Sequence, residues 1–327
     1  MRTAPIISEE MRLVEEEIAR NCVSGADLVN SVSSYIAGGG GKRLRPSVLL
    51  LSSGLCGLEE GDGRIACAAA VELTHIASLL HDDVVDNASM RRGRKSSNAV
   101  WGNKSPVLTG DMLLIRAMNL ILSCGDMKLA GVYCAAAERM IEGEAFEVMG
   151  GKEMLEMDES SCMRIITEKT ASLIECCAVM GAMLAGEANG RAEALAGYGL
   201  NLGIAFQLAD DALDYCSTTE ELGKDCGLDI ENARMTLPLL KAISNAPSRV
   251  RADFEKELRR AVTADFTMPG SAAPIKRFVA DYGGVEDTFE RAKSHIAKAK
   301  KAISSFPSGN YKDSLLTLAD FAAERSH

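Results

Sequence analysis

Aromatic residues are scarce in this 327-residue chain, making up 5% of it with a single tryptophan. Sheets draw on aromatic and β-branched side chains, so this scarcity, beside abundant Ala, Leu, Met and Gly, favours close-packed helices. Histidine is confined to His75, His81, His295 and His327, and none of the ten cysteines falls in a CxxC pair. That excludes the common zinc patterns and a small disulfide scaffold, and suits reduced thiols in a cytoplasmic helical protein. A signal core is also missing, because Met1 to Arg20 carries Glu9, Glu10, Glu15, Glu16 and Glu17. The most apolar later stretch, Ala171 to Gly186, is 16 residues long with Glu175 inside, too short to span a bilayer. A soluble protein with at most peripheral membrane contact is therefore expected. Basic charge is short as well: a net charge of −10 argues against a nucleic-acid partner and leaves anionic substrates to local basic clusters and metal. No composition shift marks a boundary, so one all-α domain over residues 1–327 is expected.

What the chain does have is acidic spacing. Asp82, Asp83 and Asp86 follow the apolar residues Leu73, Ile76, Leu79 and Leu80. On a helix Asp82 and Asp86 lie one turn apart on one face with Asp83 beside them, so three carboxylates are expected to point one way. Arg91, Arg92, Arg94 and Lys95 come next, placing a positive patch beside the negative one. The spacing returns as Asp210, Asp211 and Asp214, after Leu200, Leu202, Ile204, Phe206, Gln207 and Leu208. Two like charges about 5 Å apart at an effective dielectric of about 20 repel by roughly 3 kcal/mol, so facing triplets need protons, arginines or divalent cations. Oxygen-only donors suit Mg²⁺, which commonly shares its shell with substrate phosphates. A solvated acidic face is the simpler alternative. The apolar flanks weigh against it, because these triplets end helices that overhang an interior.

Apolar periodicity predicts one or two helices over Ser8 to Ile36, then helices over Arg45 to Cys56, Val107 to Leu122, Lys128 to Met149, Ser160 to Gly186 and Arg191 to Tyr215. Another opens at Leu237, and about four peripheral helices follow Ser248, with loops at Met268 to Ser271 and Pro307 to Asn310. Gly38 to Gly41 interrupt the pattern before Lys42-Arg43-Leu44-Arg45-Pro46. This is no phosphate-binding P-loop, since Arg43 stands where Ser or Thr is required. Lys42 and Arg45 either put cations beside a helix N-terminus, where anions bind well, or form a basic solvated turn. His75, two turns before Asp82, either reaches a second phosphate or is a packed core histidine. Gly102 to Pro106 reads as a turn, Glu142 as solvent-facing, and Lys169-Thr170 as a phosphate contact. Lys224, in the loop Leu222 to Asp225, could reach across the acidic cluster.

Taken together, GGGGKRLRP (38–46), HDDVVD with MRRG (81–93), EKTA (168–171) and FQLADDALDY with LGKD (206–225) resemble the trans-isoprenyl (polyprenyl) diphosphate synthases, most of all the octaprenyl-type long-chain enzymes. The resemblance implies an isoprenoid-synthase helical bundle around a deep central cavity, usually a homodimer. It implies three Mg²⁺ ions held by Asp82, Asp86 and Asp210 with help from Asp83, Asp211 and Asp214. Arg91, Lys169, Thr170, Gln207 and Lys224 would contact an allylic diphosphate primer, and Lys42, Arg45, His75 and Arg92 would bind isopentenyl diphosphate. Ala77 and Ser78, small residues beneath the aspartates, imply a long tunnel whose floor lies deeper, on the Lys128 to Met149 helix, and a long product for quinone side chains. The chain departs from the family pattern at Glu147, where glutamine is common, at Leu228 and Ala233, and at Arg234, which replaces a lysine.

The chemistry agrees: loss of diphosphate from an allylic carbon leaves a cation, and metals and fixed cations stabilise the departing charge. No nucleophilic triad is needed. Alternatives are a short-chain synthase, a non-catalytic tunnel-shaping subunit, a terpene cyclase, and a di-iron bundle, for which only one Glu-x-x-His pair, Glu72 to His75, exists.

Overall fold

The computed structural model describes residues 4–153, 156–187, 190–216, 230, 234–261 and 272–324. Helices α1 (Ser8–Asn21) and α2 (Asp27–Ala37) lead in, and α1 buries Met11, Val14 and Ile18 on one face. They are two helices because Asn30 folds back on Ser24, accepting its backbone N–H at 2.7 Å. The centre is built from α3 (Leu44–Leu55), α4 (Asp62–Val85), α6 (Lys104–Ser123), α7 (Met127–Glu153), α9 (Ser172–Leu184) and α10 (Gly190–Cys216). Helix α4 packs on α1, α3 and α6, while α9 lies among α3, α7 and α10. Residues Leu44 to Gly54 of α3 are buried all round, as a helix at the middle of a bundle must be.

Three stretches differ from the sequence expectation. The basic run after α4 folds as a hairpin, β1 (Met90–Arg91) against β2 (Arg94–Lys95), in a molecule otherwise helical among its described residues. Arg92 and Gly93 both take positive φ, 51° and 73°, which is the turn that matches the twist of paired strands. The short helix α5 (Ser97–Trp101) follows, and α6 already begins at Lys104, with Pro106 in its first turn where no N–H is needed. The helix expected over Ser160 to Gly186 is α8 (Glu159–Ile165), a π-helical turn over Ile166–Ala171, and α9.

After α10 come α11 (Leu237–Asn245), α12 (Ser248–Ala261), α13 (Ala272–Asp281), α14 (Gly284–Ala302) and α15 (Asn310–Glu324). Helix α14 is not peripheral. It lies along α10 and buries Thr288, Ala292, His295, Ile296 and Ala299, a stripe at helical spacing. A second cluster of buried residues, including Ala212, Tyr215, Leu239 and Val279, meets the main core through Met157 and Leu240. The loops Leu222 to Asp225 and Met268 to Ser271 lie outside the described residues.

The expectation that no segment is long enough to cross a membrane needs correcting. Gly63–Val85 and Lys104–Ser123 are both long and apolar enough by length and composition. The richest window of the first is 67% buried inside the molecule, as in a core helix, but that of α6 only 33%.

Candidate active site

Asp82 and Asp86 sit at the C-terminal end of α4, where Asp86 caps the helix. Both carboxylates face a set of charges carried by α7, the π-helical turn and the segment before α11. On α7, Glu144 and Glu147 are three residues apart and share a face. Each accepts from the Lys169 ammonium at 2.6 Å. Arg234 pairs with Asp86 and lies 3.1 Å from Glu147. Gly143 lets the π-helical turn approach: a Cβ there would run into the backbone of Lys169.

Burial dominates the electrostatics. It pushes the Asp82 carboxyl up to about 7, with Lys169 and Arg91 resisting and Glu144 and Asp86 reinforcing. Asp86 is raised for the same reason, against Arg234 and Lys169. For Glu147 burial is outweighed by Lys169 and Arg234, which hold it below the ordinary carboxylate range. Burial opposes charge on Lys169, but Glu147, Asp82 and Glu144 keep it protonated. Among the described residues, four carboxylates thus meet Lys169 and Arg234, with Arg91 also acting on Asp82.

Among the described residues no three such donors converge on a point a metal could occupy, since Lys169 and Arg234 stand between them. The donor set nonetheless fits a hard divalent cation. It is all oxygen, and burial raises Asp82 and Asp86, so a nearby cation would favour their charged forms.

Asp83 does not join Asp82 and Asp86. Rotated 100° from Asp82, it is wholly buried and accepts from Arg91 Nε at 2.5 Å, while its Oδ2 has no partner. It borders a small cavity lined by Tyr35, Gly39 and Ser97, which Arg92 and Arg94 also line. The three-carboxylate face expected from the sequence is therefore a pair.

The second triplet is connected through side chains. Thr170, next to Lys169, donates to Gln207 Oε1 at 2.9 Å, and Gln207 Nε2 donates to Asp211 Oδ1 at 2.7 Å. Asp211 and Asp214 are buried and Asp210 is half-buried. Lys169-Thr170 thus stands between the acidic runs of α4 and α10. The close approach of α10 to Ala171 is permitted by Gly203, whose Cβ would lie 2.6 Å from the Ala171 Cα.

A basic cluster adjoins. His75 is half-buried, and desolvation followed by Arg45, Arg92, Arg91 and Arg43 drives its pKa well below the usual value, so it is a neutral ring among guanidinium groups. Arg45 lies in the first turn of α3, not in a solvated basic turn. It is buried, and its Nε has no partner. Arg43, the left-handed N-cap of α3, is instead taken up by Glu15 at 2.5 Å and Glu72 at 2.8 Å. The Arg92 guanidinium lies over Gly41, where a Cβ would come within 3.4 Å of it. The Lys42 ammonium lies 5.8 Å from the Phe206 ring and 5.6 Å from that of Phe321 on α15.

One turn or more before the aspartates, Ala77 is buried and Ser78 half-buried. Deeper still, Thr74 Oγ1 and Tyr133 Oη of α7 are 2.7 Å apart, both buried. Glu142 faces solvent, as its sequence context suggested. Lys224, Leu228 and Ala233 lie outside the described residues. Sequence reasoning missed Glu144, although its spacing of three from Glu147 was a usable signal. It also missed Tyr133, Arg43 and Phe321, which carry none.

An all-helical bundle in which two acidic runs flank a lysine, beside a nest of arginines, defines an isoprenoid-synthase type of prenyltransferase. The chain belongs to the polyprenyl synthetase family, whose model matches residues 26–268. It is 35% identical to the octaprenyl diphosphate synthase of Haemophilus influenzae over 97% of this chain and 94% of that one. It is 32% identical to a short chain isoprenyl diphosphate synthase of Methanothermobacter thermautotrophicus, with both chains fully covered. Among solved structures, a polyprenyl synthase from Caulobacter crescentus complexed with calcium and isoprenyl diphosphate superposes with a TM-score of 0.92 at 34% identity, covering all of both chains. The protein is thus a prenyltransferase that lengthens an allylic diphosphate by trans condensation with isopentenyl diphosphate.

Proposed function

We propose that the chain is a Mg²⁺-dependent long-chain polyprenyl diphosphate synthase with an octaprenyl-like product, used for quinone side chains. It works as one domain, in a cytoplasmic homodimer. The observation that carries this reading is the acidic cluster of Asp82, Asp86, Glu144 and Glu147, four half-buried carboxylates that among the described residues meet Lys169 and Arg234, with Arg91 also acting on Asp82.

Asp82, Asp86 and Asp210 would hold the metal, three ions in all, with Asp211 and Asp214 in support. Bound there, such ions would supply Lewis-acid charge to offset that of a departing diphosphate. Lys169 spends two of its three N–H donors on Glu144 and Glu147, which leaves the third for the diphosphate. Arg91, Thr170, Gln207 and Lys224 complete the allylic site. Isopentenyl diphosphate is bound by Lys42, Arg45, His75 and Arg92. His75, kept neutral by its arginine neighbours, donates a hydrogen bond without adding charge.

The product is long because Ala77 and Ser78 leave room beneath the aspartates, and the tail runs on until it meets the Thr74–Tyr133 pair. The partner copy covers the apolar face of α6 and α7, where Leu108, Ile115, Met127 and Ile141 are all more than 60% exposed.

The test is to incubate the purified protein alone with labelled isopentenyl diphosphate and an allylic primer, with Mg²⁺ or with chelator, and to chromatograph the product. A polyprenyl chain of about C40 that needs Mg²⁺ is expected. A C15 or C20 product overturns the long-chain reading, activity in chelator overturns the metal, and no apolar product assigns the chain to a non-catalytic subunit.

A further inference from the structure

Cys67 lies early in α4 and Cys124 caps the C-terminal end of α6, and their sulfurs are 3.6 Å apart. Cys67 is wholly buried, whereas Cys124 is partly open to solvent. The Cys124 sulfur also lies 3.6 Å from the carbonyl oxygen of Leu120 and 4.0 Å from that of Gly63. Gly63 is one turn before Cys67, and a Cβ there would come within 3.8 Å of that sulfur. The first turn of α4 therefore offers Cys124 a notch bounded by Gly63 and Cys67.

A disulfide has an S–S length of about 2.05 Å, so the sulfurs need to close by roughly 1.5 Å, a shift within reach of side-chain rotation at the two cysteines. Cys124 is followed by Gly125 at φ 71°, in the turn between α6 and α7, where the backbone has latitude to follow.

We propose that Cys67 and Cys124 are an oxidisable dithiol that a peroxide converts into a disulfide, tying the start of α4 to the end of α6. Cys124 is the more exposed of the two, and the contact between the sulfurs pulls its thiol down to about 7 against the effect of burial, while Cys67 itself is raised. Cys124 is therefore the attacking thiolate. It bonds to one peroxide oxygen, the O–O bond breaks, and the hydroxide that leaves takes up the proton Cys124 gave off, forming water. The Cys67 sulfur then attacks the resulting sulfenic acid. The S–S bond forms, the S–OH bond breaks, and the second water departs with the Cys67 proton. Two thiols lose two electrons and the peroxide gains them. The cross-link lies fifteen residues before Asp82, about 22 Å away along the helix. It is thus remote from the diphosphate site and independent of the assignments made there.

The experiment treats the full-length reduced protein with hydrogen peroxide, alkylates it, and digests it without reductant for mass spectrometry. The expected result is a Cys67–Cys124 cross-linked peptide two hydrogens lighter than its parts, with a melting temperature raised by several degrees and restored by dithiothreitol. C124S removes both effects, and C67S leaves a sulfenic acid on Cys124 that dimedone traps. C124A, melted in the reduced state alongside C124S, shows that loss of the cross-link is not loss of the fold. Oxidation of Cys124 without linkage to Cys67, or cross-links confined to the exposed Cys134 and Cys216, overturns the proposal.

Discussion

Lys169 is clamped by two carboxylates of one helix, so its direction depends on both. Glu147 also touches Arg234, so two positions where the chain departs from the family pattern form one compensating ion pair. Replacing Glu147 with Gln removes one charge-assisted bond to each cation, worth about 1.5–3 kcal/mol. E147Q should raise KM for the allylic diphosphate or lower kcat/KM by about ten- to a hundredfold, with KM for isopentenyl diphosphate little changed. Steady-state kinetics with each substrate varied in turn checks this. Asp82 and Asp83 should part company under mutation. Asp82→Ala should abolish turnover, and should also remove the rise in melting temperature that Mg²⁺ with inorganic diphosphate gives the wild type. Asp83→Asn should keep that rise but cost on the order of 3 kcal/mol of stability, because it leaves Arg91 unpaired against a buried site. Calorimetric melting separates the two. The DDxxD spacing made Asp82 and Asp86 legible as a pair. It could not tell which neighbour Asp83 would turn toward, because Arg91 arrives on a hairpin that the acidic run does not announce.

Helix α4 is the ruler of the molecule at the level of elements, with the aspartates at one end and the thiol pair near the other. If the tail grows along it, Ser78→Phe should shorten the product, and Tyr133→Ala, which opens the Thr74–Tyr133 barrier, should lengthen it by one or more isoprene units. Chromatography of the dephosphorylated alcohols reads both, and unchanged lengths would mean the tail runs elsewhere. The packing of α14 on α10 carries a pH signature. His295 Nδ1 lies 2.8 Å from Asn201 Oδ1, its Nε2 is buried without a partner, and burial pushes its pKa down to about 4. The unfolded chain, near 6.5, takes the proton first. Stability from the neutral ring is therefore complete above about pH 6.5 and is lost as pH falls toward 4. Denaturant titrations across that window should show His295→Leu with a flatter profile than wild type. Most helices were legible from apolar spacing to within a few residues. The π-helical turn at Lys169 was not, because its cause is tertiary: Gly143 brings another backbone close, and Glu144 and Glu147 draw the lysine inward. The central place of α14 was hidden by its charged outer face, although Ala292, Ile296 and Ala299 already held the helical period.

At the scale of the molecule, the described residues leave an apolar stripe exposed on α6 and α7. On α6, Leu108, Ile115 and Leu122 are exposed at intervals of seven, and on α7 so are Met127, Cys134, Ile141 and Val148. A period of seven keeps an apolar seam facing a partner helix along its whole length. Two antiparallel helices carrying such seams present a self-complementary surface of the kind a two-fold axis closes. In the proposed homodimer, association removes this face from water and has to overcome the repulsion between copies of net charge −10. Leu108→Glu with Ile115→Glu should halve the mass seen in sedimentation. The wild-type melting temperature should rise with protein concentration, and that dependence should vanish in the double variant. Sedimentation of the wild type as a single chain, with binding to lipid vesicles lost in the double variant, would assign the same stripe to a membrane surface and remove the dimer.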